Sequence, residues 1–195
     1  MSATRLLVLG VVRMHGSAHG YQVRRELLTW SADKWANVKP GSIYHALKKM
    51  AAQGLLAEVA VEPGDAGPER LAYRLTDDGE TEFQVLLTRA LSDPRDPGPE
   101  LGAGMTFLTT LPRQRAIGLL RHHLAHAEAE LHGANLIGAG PDISPKPAHV
   151  RELYDLWRMH AETGVRWTRT VIEHLEAGEY VMADDADSAF GLPPQ

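Results

Sequence analysis

Cysteine is absent from the 195 residues of this chain, which excludes disulfides, thiolate metal sites and cysteine nucleophiles. A metal site would have to be built from histidine and carboxylates. No apolar run reaches the roughly 20 residues that a membrane span needs. The opening Leu6-Leu-Val-Leu9 is cut by Arg13 and His15, with no small-residue cleavage site after it, so it does not read as a leader peptide and the expected location is cytoplasmic. Catalytic signatures are missing too. There is no G-x-S-x-G, no P-loop and no G-x-G-x-x-G, and the short pairs Gly102-Ala-Gly104 and Gly138-Ala-Gly140 fall in linker-like sequence. Without a nucleophile and base or paired carboxylates to assign, the chain reads as a non-enzyme with no cofactor and no metal. It contains no internal repeats.

What is present is an ordinary globular composition, 44% hydrophobic, enough for one large domain or two small ones. The net charge of −5 speaks against an anionic partner until its distribution is examined. Residues 1–91 hold 11 Lys+Arg against 10 Asp+Glu, residues 92–195 hold 9 against 15, and the stretch 24–55 holds 6 against 2. Local field rather than total charge governs attraction to phosphate.

Positive charge gathers around Pro40-Gly-Ser-Ile-Tyr-His-Ala-Leu-Lys-Lys-Met50, followed by Gly54. At roughly 100° per residue, Ile43, Leu47 and Met50 form one apolar stripe, while His45, Lys48 and Lys49 point away with Tyr44 on the flank. Pro40 suits a first helical turn and Gly54 the left-handed residue that ends one. Lys neutralises phosphate, and Tyr or His can hydrogen-bond to phosphate or base edges.

Around this helix the order is legible. A nearly all-apolar first helix runs from Arg5 to Met14, and a second from Gly20 to Trp30 with Tyr21, Val23, Leu27, Leu28 and Trp30 expected mostly inward. After the third helix, β-type runs at Leu55–Val61 and Arg70–Leu75 flank a Pro- and Gly-rich loop, a hairpin with a long tip. Thr76 then caps a fourth helix over about Asp77–Leu91, whose first-turn acids suit the helix dipole. Three helices followed by a hairpin is the arrangement of a winged helix-turn-helix, whose third helix enters the major groove.

Residues 92–104, rich in Pro and Gly, read as a linker. Beyond it Ile117, Leu120, Leu124, Ala127 and Leu131 recur at steps of three and four, the spacing of a coiled-coil seam. A loop is expected from Gly133 to Pro147. A last helix, about Ala148–Glu176, repeats the spacing with Leu153, Trp157, His160, Gly164, Trp167, Val171 and Leu175. Two such stripes call for a partner chain, so residues 105–178 read as a dimerisation domain and 179–195 as a loosely ordered tail. The fold class is mainly α, a winged helix-turn-helix over 1–91 with a C-terminal helical dimerisation domain.

His19-Gly20-Tyr21, Gly41-Ser42-Ile43-Tyr44 with Leu47 and Met50, Gly54-Leu55-Leu56 and Tyr73-Arg-Leu-Thr-Asp-Asp-Gly79, in this order and spacing, resemble the PadR-type transcriptional regulators. In the second half, Glu162-Thr-Gly-Val-Arg-Trp167 looks like the family's dimerisation helix. The resemblance implies a homodimeric repressor on a palindromic double-stranded operator, released by a small-molecule effector. It implies that Ser42, Tyr44, His45 and Lys48 face DNA, and Lys39 and Lys49 join them on charge. The hairpin tip departs from the pattern, with Glu62, Asp65 and Glu69 against Arg70, which leaves Arg70 and Arg74 at the hairpin base as contacts. Ile117, Leu120, Leu124, Leu131, Leu153, Trp157, Trp167 and Val171 are the dimer candidates, and Tyr154, Trp157, His160 and Trp167 the effector candidates. Two alternatives stay open: a winged helix that binds protein, and a metal-responsive regulator using His122 and His126, at i and i+4, with Glu130.

Overall fold

Leu6, Leu7, Val8, Leu9, Val11 and Val12 are all at most 1% exposed, so the first helix is buried on nearly every side. In the computed structural model, which describes residues 3–60, 71–93, 98–139 and 147–194, this helix is α1 (Ala3–Met14). Around it stand α2 (Gly20–Thr29), α4 (Pro40–Ala52), the strand β3 (Leu71–Leu75) and α6 (Pro99–Thr106). A short α3 (Ala32–Trp35) lies between α2 and α4, and α5 (Asp77–Ser92) follows β3.

The hairpin is present as β2 (Leu56–Ala60) antiparallel to β3, and a two-residue strand β1 (Ala18–His19) that the sequence reading lacks pairs with the other edge of β3. The expected tip, with Arg70, Glu62, Asp65 and Glu69, lies outside the described residues. Thr76 does cap α5: its Oγ1 accepts from the Gly79 N–H at 3.0 Å and donates to the Gly54 carbonyl at 2.7 Å. One hydroxyl thus joins the end of α4 to the start of α5.

Several expectations need correction. In α2, Val23 and Leu27 are buried, but Tyr21 is 55% and Leu28 41% exposed; they sit about half a turn round from Val23, so helical period overrides their apolar character. The 92–104 linker contains most of α6, with Leu101, Ala103 and Gly104 buried. Its glycines admit neighbours rather than slack, since side chains at Gly102 and Gly104 would meet the Trp35 ring and Leu91.

The tail differs most. Val181–Gln195 clusters with Met1–Leu91 and Asp96–Arg113 in one compact unit, and Ser92–Arg95 with Gln114–Tyr180 forms the other. Met182 is 0% and Ala189 4% exposed, and the Phe190 ring meets Trp30 edge-on at 5.8 Å. Arg13 Nη1 donates to the Gly191 carbonyl at 3.0 Å, and Thr109 Oγ1 to that of Phe190 at 3.0 Å. Ala183 N–H donates to Leu111 O at 3.3 Å. Asp184 accepts from the Arg113 backbone N–H at 2.9 Å and Asp185 from the Arg113 guanidinium at 2.6 Å. The acids that read as a solvated tail have partners some seventy residues earlier.

The second unit holds α7 (Arg113–Ala139, all but its first residue) and α8 (Ala148–Glu176). α7 continues past Gly133, where a loop was expected. Arg121–Glu176 at 2.7 Å and Arg169–Glu128 at 2.6 Å tie the two helices antiparallel. Among the described residues no helix is long and apolar enough to cross a membrane. On α7, His123 is 4% exposed and its Nδ1 has no partner among the described residues. Burial pushes its pKa below the usual 6.5, against an upward pull from Glu130. With the folded value the lower, unfolding takes up a proton as pH falls, so this stability is complete above about 6.5 and is lost below it. The His123→Leu variant should therefore lose less melting temperature than the parent between about pH 7.5 and about pH 5.5; an equal loss would assign the acid sensitivity elsewhere.

Candidate nucleic-acid interface

Ile43, Leu47 and Met50 are each 1% exposed, and burying such side chains contributes about 1.5–3 kcal/mol apiece. That holds α4 by one face and fixes what the opposite face presents. Pro40 opens the helix at its first position, and Gly54 follows its last turn with φ +73°, where a side chain would be strained.

On the outward face Tyr44, His45, Lys48 and Lys49 are exposed, with Lys39 just before the helix. Among the described residues none of the Lys39, His45, Lys48 and Lys49 side chains has an ion-pair partner. Ser42 is engaged differently. Its hydroxyl donates to the Lys39 carbonyl at 2.7 Å and accepts from the Lys39 N–H at 3.1 Å, closing the first turn. A serine three residues after the cap position is a signal the sequence does carry. Arg74 is exposed on β3, opposite Ala57 of β2.

Two neighbours escape a reading of α4 alone. Tyr21 and Arg25 stand exposed on one face of α2, the helix that packs against α4. The Tyr44 ring lies against Gly20 at the start of α2, so that a Cβ on Gly20 would come within 2.6 Å of it.

In the second unit the candidates divide. Ile117, Leu120 and Val171 are at most 6% exposed in the single chain, so they are packed without a partner. Leu124 and Leu131 are half-buried. Leu153, Trp157 and Trp167 are 37–49% exposed, joined by Leu156 and Met159. Tyr154 meets Trp157 edge-on at 5.6 Å, and His160 is exposed. His122 and His126 pack ring against ring at 4.9 Å, and among the described residues no group of three His, Asp or Glu is placed to hold a metal ion.

No curated protein matches the chain. Among solved structures it is similar to Bacillus subtilis PadR in complex with operator DNA, at 23% identity over 90% of this chain and 98% of that one, with a TM-score of 0.42. It is also similar to B. subtilis PadR in complex with p-coumaric acid, at 22% identity over 89% and 99% with a TM-score of 0.39. A third is the PadR-like regulator BC1756 of Bacillus cereus, at 18% over 90% and 99% with a TM-score of 0.37. The model of the transcriptional regulator PadR-like family matches residues 8–85, from α1 through most of α5.

Proposed function

We propose that the chain is a sequence-specific DNA-binding regulator that acts as a homodimeric repressor on a palindromic operator. The observation that carries this reading is the outward face of α4, whose Lys39, His45, Lys48 and Lys49 lack ion-pair partners among the described residues, on a helix anchored by Ile43, Leu47 and Met50. In this reading Tyr44, His45, Lys48 and Lys49 meet the major groove and its phosphates, Arg74 meets the adjacent backbone, and Ser42 sets the helix start that aims them.

The apolar surface left on α8, with Leu153, Trp157 and Trp167, supports pairing with a second copy. Two heads on one operator double the phosphate contacts and give the site its symmetry. A small-molecule effector would then act by shifting the spacing of the heads, with Tyr154 and His160 of α8 beside the same surface.

The experiment is binding of the purified chain to a labelled fragment from upstream of its own gene, across a salt series and against excess random DNA. Tight, competition-resistant binding at one palindrome supports the reading; binding that random DNA removes equally well counts against it. For the dimer, Trp157→Glu should raise the dimer dissociation constant by about thirtyfold or more, the loss typical of an aromatic anchor, and weaken the operator complex with it. A variant that sediments as the parent dimer would refute that surface.

A further inference from the structure

We propose that Gly20 is a positioning residue for DNA recognition, because the bare backbone at the start of α2 is the bed on which the Tyr44 ring lies. The inference rests on the DNA-binding reading of α4 and adds a residue from a different helix to it.

A Cβ built on Gly20 would stand 2.6 Å and 2.9 Å from Cε1 and Cδ1 of Tyr44, and 3.4 Å from Cδ1 of Leu47. The Leu47 separation is ordinary contact, so the conflict is with the tyrosine ring alone. Gly20 itself is buried, while Tyr44 is 42% exposed. Its ring therefore has solvent to move into, and the helices do not need to part. A side chain at position 20 displaces the phenol rather than the fold. Tyr44 lies one turn before Lys48, so the two side chains are neighbours on the outward surface of α4. The anchoring of Gly20 is itself firm: His19 pairs with Ala72 of β3, and its Nδ1 is 3.3 Å from the Leu71 carbonyl. The bed of the Tyr44 ring is thus fixed by the sheet, and the ring by the bed.

The test uses the full chain with Gly20→Ala, Tyr44→Ala and the double variant. Fluorotyrosine labelling gives a 19F signal for each tyrosine, that of Tyr44 assigned by Tyr44→Phe. Gly20→Ala should move the Tyr44 signal and leave the others, keep the melting temperature near the parent's, and weaken operator binding by about tenfold, the worth of one charge-assisted hydrogen bond. In the Tyr44→Ala background the same substitution should cost under about twofold. If Gly20→Ala binds the operator as the parent does, or costs as much without Tyr44 as with it, the inference is overturned while the DNA-binding reading stands. If the parent itself binds no fragment specifically, that reading fails and this inference with it.

Discussion

Phe107→Ala should destabilise the first unit by about 3–5 kcal/mol, the usual loss when a fully buried phenylalanine is emptied. Phe107 is 0% exposed and meets Trp30 edge-on at 5.9 Å and Phe83 at 5.6 Å. Edge-on pairs contribute about 0.5–1.5 kcal/mol beyond the area they bury. Trp30 also carries Phe190, so the cavity would undercut the docking of the C-terminal segment. Against a total of about 5–15 kcal/mol for an ordinary domain, the variant should melt more than about 10 °C lower. Calorimetry with Phe107→Leu as a milder companion reads this directly. A fall of only a few degrees in the alanine variant would mean that the ring cluster does not hold the unit together.

Replacing Lys48 and Lys49 together by Ala should weaken binding to every DNA sequence alike and lower the slope of log K against log salt by up to about two for each head. Both ammonium groups are exposed and without ion-pair partners among the described residues, so removing them leaves no buried carboxylate orphaned and the fold should not change. The preference for operator over random DNA should survive at low salt, because base edges are read by other groups. An unchanged salt slope would take both lysines off the interface. Loss of preference with an unchanged slope would make them base readers instead.

Local punctuation made α4 and α8 legible. Pro40 and Gly54 bracket the first, and the second runs from Ala148 to Glu176 as its spacing implies. The two faces of α4 follow from helical geometry alone. Elements whose reason lies far away in the chain were not legible. β1 is two residues long, too short for any period, and exists because β3 offers an edge. α6 looks like a linker in composition, and only the neighbours at Ala90, Leu91 and Trp35 explain its glycines. Asp184 and Asp185 look solvated until Arg113 is beside them. At the interface, the contact between Gly20 and Tyr44 joins two helices through tertiary packing, which local periodicity does not encode. Tyr21 and Leu28 are the opposite case, apolar by type yet turned outward by their angular position on α2.

The segmented make-up of the first unit has a consequence for the order in which it is made. Its parts are Met1–Leu91, Asp96–Arg113 and Val181–Gln195, with the whole of Gln114–Tyr180 between the last two. Synthesis at roughly 5–20 residues per second leaves an interval of several seconds between Arg113 and Val181. Through that interval the nascent head holds Trp30 without Phe190 and Arg13 without the Gly191 carbonyl. The other unit is complete first, although its residues come later than most of the head. The head therefore closes after the other unit has been made, and a ribosome that stalls within α8 leaves a head with its Val181–Gln195 segment still unmade.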